Sequence, residues 1–365
     1  MVDVFITSCE TYNQKEVNRA VGKILKNFKI KPKKTVLIKP NLLGSYRKGH
    51  IVITNPAVIE AICKVLAKNK NKIIIGDSSF QNTDIAIQKS GMLSVAKKYN
   101  AQVLNFEKTK LVNVKIPKGK ILKEILLPEI LFKADYIINV PKLKTHSLMK
   151  LTCAVKNLFG VIPGYKKQKL HGLAHSEKKF AQLLLDLHSV VTPTLTLVDA
   201  VIGMDGEGPS AGDARPTGIV FASQSSFAVD LVACDMIGWK RNYVPTNRLV
   251  MKQKLFNEPI TIHGEMHHIP YKKPPALPVG LLSAVMRFMP KPKITVNKEK
   301  CIRCGACMRG CPVGAITLNP YPLINTKKCI RCFCCIEVCP EHALYLKDSF
   351  IVSLFNSLRK KNLKL

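Results

Sequence analysis

The sequence predicts an α/β chain in two parts. A large domain is built on a mostly parallel sheet with helices on both faces, and a small α+β module follows it. Three observations carry this expectation. Over the first 240 residues, short apolar runs alternate with segments of helical period, the pattern of successive strand–helix–strand units. The 365 residues exceed what one hydrophobic core usually organises. Nine of the thirteen cysteines fall between residues 301 and 339, eight of them in one repeated phrase, an abrupt change of composition.

The elements follow in order. Residues 2–9 (VDVFITSC) read as a strand, and 13–28 carry Val17, Val21, Ile24, Leu25 and Phe28 at helical spacing. TVLIKPNL (35–42) is a buried strand running into Pro and Asn. The helix over 55–69 opens with Asn55 as cap and Pro56 at its first position. A strand at 72–79 ends on small polar residues, a helix spans 83–100, and 101–106 is a further strand. Residues 135–146 repeat the strand-to-polar-turn pattern, before a helix at 175–190 and a strand at 194–204. A last strand at 216–224 leads into a helix at 226–239. The boundaries predicted are 1–240 for the large domain, 241–293 for a proline-rich linker wrapping it, 294–348 for the cysteine module and 349–365 for a basic amphipathic tail.

Composition bounds the function. Lys and Arg number 57 against 24 Asp and Glu, a formal charge of +33. Such a chain attracts acidic partners, anionic lipid or nucleic acid. The charge is spread as single lysines, and no recognised nucleic-acid module is present, so no nucleic-acid partner is expected. The opening MVDVFITSCE lacks a basic segment followed by an apolar run. ALPVGLLSAVM (276–286) falls short of the ~20 residues that span a bilayer. A cytoplasmic protein is expected, with Cys9, Cys63, Cys153 and Cys234 as ordinary buried thiols. The tail, and the short apolar segment near 280, could instead rest on an anionic membrane surface.

The cysteines form two copies of one phrase. Cys301, Cys304, Cys307 and Cys311 precede Pro312; Cys329, Cys332, Cys335 and Cys339 precede Pro340, 28 residues on. Three thiolates at three-residue intervals suit one face of a cubane, and the fourth cysteine of each run ligates the other cluster. Two 4Fe-4S clusters are therefore expected. Cys301, Cys304, Cys307 and Cys339 hold one; Cys329, Cys332, Cys335 and Cys311 hold the other. Zinc has no use for a triple at this spacing. Residues 294–347 resemble bacterial-type ferredoxins, with two departures: Phe333 stands where the first half has Gly305, and Cys334 faces Ala306.

In doubly wound sheets, ligands bind beyond the carboxyl ends of strands. Polar clusters mark four such ends: Lys39-Pro40-Asn41, Gly76-Asp77-Ser78-Ser79, Pro141 to His146, and Asp199 followed by the Gly203–Pro209 run. LTCAVKNLFGVIPGYKKQKLHGLAH (151–175) adds Lys156, Asn157, His171 and His175. Their recurrence points to a shared pocket. The motifs IKPNLL, TNP, GDSS, PKLKTH, LTCAVKNLFGVIPG, VDAVIGMDGEGPSAG and FAVDLVACD resemble domain-of-unknown-function family 362 over about residues 2–240. The resemblance implies an α/β fold and no reaction. Its motif positions are Lys39, Asn41, Asp77, Lys142, Lys144, His146, Lys156, Asn157, His171, Asp199 and Asp230, the last a possible structural cap.

Residue chemistry bounds the reaction. Lysines offer point charges to carboxylates or phosphates, and Asn41 and Asn157 can orient them. Lys39, Asn41, Asp77, Lys144, Asn157 and Asp199 are the expected substrate-binding residues. His146, His171, Lys142 and Lys156 are the expected catalytic residues, with the histidines as proton donors. An iron–sulfur oxidoreductase is expected, taking electrons from a redox partner or low-potential donor and reducing an anionic small molecule. The alternatives are a non-catalytic electron-transfer or docking protein and an accessory factor for metallocentre maturation. A metal held by His146, His171 and Asp77 or Asp199 is a further alternative. Lys142→Met, Lys144→Met and Lys156→Met are each expected to weaken ligand binding at least ~10-fold and spare the clusters.

Overall fold

The computed structural model describes residues 1–80, 82–174, 176–274 and 293–347. The chain divides into two compact units, Met1–Pro274 and Pro275–Leu365. The tail at 349–365, the apolar segment 276–286 and His175 lie outside the described residues.

The first unit is an α/β sheet of ten strands. β1 (Val2–Ser8) lies near one edge, and α1 (Gln14–Leu25) follows under an Asn13 cap whose side chain accepts from the Lys15 amide. β2 (Thr35–Lys39), α2 (Pro56–Lys68), β3 (Lys72–Asp77), α3 (Thr83–Ser90), α4 (Met92–Lys98) and β4 (Gln102–Asn105) come next. Asn55 caps α2 through the Ala57 amide, as its sequence predicted. The helix expected over 83–100 is instead two helices, because Gly91 adopts φ 84° and ends the first.

A segment without a sequence assignment forms the antiparallel pair β5 (Leu111–Lys115) and β6 (Glu124–Pro128), then α5 (Ile130–Lys133). The loop at its tip is pinned to the unit by Asp186, whose carboxylate accepts from the Lys120, Ile121 and Leu122 amides at 2.6–2.9 Å. Over 135–146, where a strand running into a polar turn was expected, the polar part forms a second strand. β7 (Tyr136–Asn139) and β8 (Lys142–His146) pair with successive stretches of one neighbour and are separated by Pro141, which has no N–H to donate. β9 (Lys150–Thr152), α6 (Ala154–Asn157), α7 (Gly164–Leu173) and α8 (Glu177–His188) follow.

β10 (Leu195–Asp205) and β11 (Asp213–Ser223) form a long antiparallel hairpin. Then come α9 (Ser226–Met236), α10 (Pro245–Lys252) and β12 (Ile260–His263). The spatial order is β12-β1-β11-β10-β7-β2-β3-β4, with β8 and β9 branching from β10. Most pairings are parallel; β1–β11, β10–β11 and β8–β9 are antiparallel. The unit runs past residue 240 because β12 adds in parallel to β1, Val2 opposite Ile260.

Alternation along the strands divides the core between two faces. Ile73 and Ile75 pack with Val21 and Ile24 of α1 and Ile62 and Leu66 of α2 on one side. On the other, Val4, Ile6, Val198 and Phe221 pack with Val229, Val232 and Met236 of α9. All four cysteines of this unit, Cys9, Cys63, Cys153 and Cys234, are buried.

Within the second unit β13 (Lys293–Val296) pairs with β16 (Leu344–Lys347), and β14 (Ile316–Leu318) with β15 (Pro322–Ile324). The short helices α11 (Ala306–Arg309) and α12 (Cys334–Glu337) each follow a left-handed residue, Gly305 at φ 72° and Phe333 at φ 62°. Arg303 and Arg331 also match, at φ 59° and 53°. Asn297 and Asn325, 28 positions apart, each accept two amides just downstream. The sequence duplication is thus a duplication of backbone geometry. Phe333 keeps the conformation that its glycine counterpart adopts without steric cost.

Candidate functional site

The cysteine module is built from the two repeats crossing over. An apolar cavity is lined by Cys301, Cys304, Cys307 and, from the other repeat, Cys339, with Ile302, Leu318, Pro322 and Leu344 around them. This donor set matches one cubane, with a thiolate for each iron. The fourth cysteine of each run accepts a backbone N–H at Sγ, from Ala315 to Cys311 and from Ala343 to Cys339, both at 3.2 Å. Cys335 has Cys332, Cys329, Cys311 and Cys307 as its charged neighbours; burial raises its thiol most, and they raise it further. Cys334 is buried beside Cys332, hydrogen-bonded to it, and burial with this bond raises its thiol.

In the large unit, the polar strand ends expected from the sequence do meet, but largely by satisfying one another. Lys39 ends β2 and Asp77 ends β3, its parallel neighbour. Lys39 Nζ donates to Asp77 Oδ1 at 2.8 Å, while Asp77 Oδ2 accepts the Leu42 amide at 2.9 Å. Lys144 Nζ donates to Asn41 Oδ1 at 3.0 Å and to the Val52 carbonyl at 2.7 Å. Asn41 Nδ2 donates to Asn157 Oδ1, and Asn157 Nδ2 to Asn139 Oδ1, both at 2.8 Å. Every member of this chain is at least nine-tenths buried.

A second pair stands beside it. Lys142 Nζ donates to Asp199 Oδ2 at 3.1 Å and also to the Tyr12 hydroxyl. Asp199 accepts Tyr12 Oη at 2.7 Å and the Asn55 amide at 2.8 Å. Thr54 bridges the groups by accepting the Asn41 amide and donating to the Val140 carbonyl. Burial pulls both the Lys39 and Lys142 amines down; the Asp77 and Asp199 charges oppose it. Lys39, Lys142 and both aspartates therefore serve first as buried ion pairs.

Lys156 is different. It is half-buried, and its ammonium lies 5.8 Å from the Phe180 ring centre. His171 stacks on the same Phe180 ring, 4.4 Å between ring centres, with Phe159 and Phe80 edge-on to it. His146 ends β8, where Nδ1 accepts the Leu148 and Met149 amides at 3.1 and 3.2 Å. The neutral ring therefore carries its proton on Nε2. Asp230 accepts the Ala154 and Val155 amides at the start of α6, the capping role suggested by its helical context.

Lys167 was missed at the sequence level. Its Nζ donates to the Ser78 and Ser79 carbonyls beyond β3. Burial lowers its amine to about 7, Asp77 opposing and Lys39 adding to the shift. The available signal was position: Lys167 lies one helical turn before His171 in α7, on the same face. Tyr12 and Glu107, which accepts from Ser78 and Thr83, were missed as well, since nothing near them in sequence marks a site. Two glycines let α7 approach. A Cβ at Gly160 would collide with Lys39 and Asp77, and one at Gly164 with Glu107 and the Ser79 carbonyl.

The sign of the Lys167 effect on stability is fixed. Its folded amine titrates below an unfolded lysine at ~10.5, so the unfolded chain binds more protons between those values. Stability from this group is full above the unfolded value and is lost as pH falls towards 7. The wild type should gain about 2 kcal/mol over Lys167→Met between pH ~7 and ~9 in denaturant unfolding. Parallel curves would show that the ammonium is solvated.

Among the described residues, no three His, Cys, Asp or Glu side chains are placed to share a single metal ion. The aspartates named for that alternative are occupied by Lys39 and Lys142. No helix among the described residues is long and apolar enough to cross a membrane.

Comparison with known proteins matches residues 36–235 to the family described as "Domain of unknown function (DUF362)" and residues 294–317 to a 4Fe-4S binding domain. A thylakoid-associated protein of Synechocystis sp. (strain ATCC 27184 / PCC 6803 / Kazusa) is 31% identical over 222 residues, covering 60% of this chain and 68% of that protein. Among solved structures, the lactate racemase apoprotein of Thermoanaerobacterium thermosaccharolyticum aligns with a TM-score of 0.41 at 15% identity. That alignment covers 65% of this chain and 56% of the racemase chain.

Proposed function

The chain belongs to the family of domains of unknown function DUF362 and carries a 4Fe-4S binding domain, and from that premise we propose an iron–sulfur reductase of an anionic organic substrate. The observation that carries this reading is the meeting of Cys339 with Cys301, Cys304 and Cys307 around one cavity. That meeting supports the crossed ligation of a two-cluster module, in which Cys329, Cys332, Cys335 and Cys311 hold the second cluster. The clusters supply single electrons.

The residues of the large unit supply the rest. Lys156 and Lys167 lie near the ends of β2 and β3 and favour a carboxylate or phosphate there. Lys39, Asn41, Lys144 and Asn157 hold the floor of that region in one hydrogen-bonded arrangement, which limits reorganisation when a ligand binds. His171 is held between aromatic rings, and the buried His146 carries its proton on Nε2; the two histidines are the proton donors of this reading. The location in this reading is cytoplasmic, with peripheral contact to an anionic membrane in keeping with the designation of the cyanobacterial relative.

The test is anaerobic. Protein reduced with dithionite and freed of excess reductant is mixed with a panel of 2-oxo carboxylates, enoates and organic phosphates, and cluster reoxidation is followed. A reductase shows reoxidation by one class that saturates with concentration and slows at least ~10-fold in Lys156→Met. No accelerated reoxidation by any member would leave the second reading, a non-catalytic electron carrier. The internal pairing of Lys39 and Lys142 favours that reading, since it withdraws two cations from any ligand.

A further inference from the structure

The opposite end of the same sheet carries a different feature. The turn before β2 contains Lys29, Lys31, Lys33 and Lys34; Lys68 at the end of α2, Lys70 in the turn and Lys72 at the start of β3 stand beside it. All seven side chains are exposed. Parallel pairing of β2 with β3 sets the turns side by side, with Thr35 opposite Lys72.

The turns are also sewn together. The Lys33 amide donates to the Asn69 carbonyl at 3.2 Å, and the Lys72 amide to the Lys34 carbonyl at 3.0 Å. Asn71, largely buried between them, donates to the Lys31 and Lys34 carbonyls at 2.8 and 3.2 Å. Lys33 and Lys70 hold left-handed φ of 57° and 54°, so each turn is tight. Only Lys34 is ion-paired, to Asp135; the other six have no salt-bridge partner among the described residues.

Six unneutralised cations on a fixed backbone cost self-repulsion, which a polyanion would relieve. The chemistry of the array narrows the partner. It is made of lysines alone, hydrated point charges without the bidentate fork that reads a particular phosphate or carboxylate. Of the rings beside it, Phe28 is half-buried against Phe5 at 5.4 Å, and Tyr136 is half-buried with its hydroxyl accepting the Lys31 amide at 3.3 Å. A diffuse layer of negative headgroups matches such an array better than a nucleic acid or a shaped protein surface does.

We infer that this lysine array, at the amino ends of β2 and β3, is the surface by which the protein rests on an anionic lipid bilayer. The inference rests on the peripheral location in the reading above and not on its chemistry. Lys39 and Asp77 end the same two strands at their carboxyl termini, so the polar site lies at the opposite end of these strands from the array.

The test uses the full chain with both clusters loaded. Sedimentation with phosphatidylserine–phosphatidylcholine vesicles is compared for the wild type and for Lys31→Gln/Lys33→Gln/Lys68→Gln/Lys70→Gln. The control is Lys115→Gln/Lys118→Gln/Lys178→Gln/Lys179→Gln, an equal loss of exposed charge elsewhere on the unit. With roughly a tenfold factor or less per lysine at the surface, the array variant should bind at least ~100-fold more weakly and the control within ~10-fold of wild type. Phosphatidylcholine alone should bind neither. Equal losses in both variants would reduce the effect to net charge, and unchanged binding in the array variant would move it to another segment; either overturns the inference. Tighter binding to duplex DNA than to vesicles at the same salt, with the same lysine dependence, would overturn it in favour of nucleic acid. Turnover unaffected by the array substitutions separates this result from the fate of the reductase reading.

Discussion

Cys339→Ser should remove one cluster and spare the other, and the one lost should be that of the first triple. Loaded wild-type protein should contain about eight irons per chain, and Cys339→Ser about four. Double substitutions make the crossing visible. Cys339→Ser with Cys301→Ser should retain about four irons, because both thiolates serve one cluster. Cys339→Ser with Cys335→Ser should fall towards none. If each run held its own cluster, the two double variants would exchange results. The structural basis is the cavity that brings Cys339 to Cys301, Cys304 and Cys307 across the repeat. Cys311→Ser should mirror Cys339→Ser, since it lies among the neighbours of Cys335. Iron analysis with electron paramagnetic resonance of the reduced protein reads both quantities.

Lys142→Met should destabilise the large unit by about 3–5 kcal/mol, the usual cost of leaving one partner of a buried pair alone. The side chains of Lys142 and Asp199 are 1% and 0% exposed. Without the ammonium, the Asp199 carboxylate keeps the Tyr12 hydroxyl and the Asn55 amide but no positive charge. Adding Asp199→Asn removes the orphaned charge, keeps one acceptor oxygen for the Asn55 amide, and turns an NH2 donor to the Tyr12 hydroxyl, which can accept it. The double variant should therefore regain at least half of the loss, which denaturant unfolding followed by circular dichroism would register. Equal destabilisation in single and double variants would refute the charge explanation. The binding loss expected from sequence for Lys142→Met is thus confounded with stability. Lys156, half-buried against Phe180, is the cleaner probe of a ligand.

These two sites show different degrees of legibility. The 4Fe-4S binding domain was readable because its chemistry is local: three cysteines per repeat sit within seven residues. The α/β class was readable because burial imposes period on each strand and helix separately. Breaks inside an apparent element were harder. The split at Gly91 depends on one positive φ, and the division of 135–146 on which neighbour each half pairs with. The antiparallel β10–β11 hairpin has strands as apolar as its parallel neighbours, so direction left no trace in composition.

The sequence by itself therefore determined the cluster chemistry, the mostly parallel sheet and the polar residues at its strand ends. Only the tertiary structure decided what those polar residues do. Lys39 finds Asp77 across 38 positions and Lys142 finds Asp199 across 57, and no local pattern distinguishes a lysine awaiting a ligand from one already paired. Lys167 became part of the site only because Gly160 and Gly164 let α7 close over the end of β3. The reason is physical: the state of a charged side chain depends on its desolvation and on the charges within a few ångströms, and packing, not sequence neighbourhood, sets both.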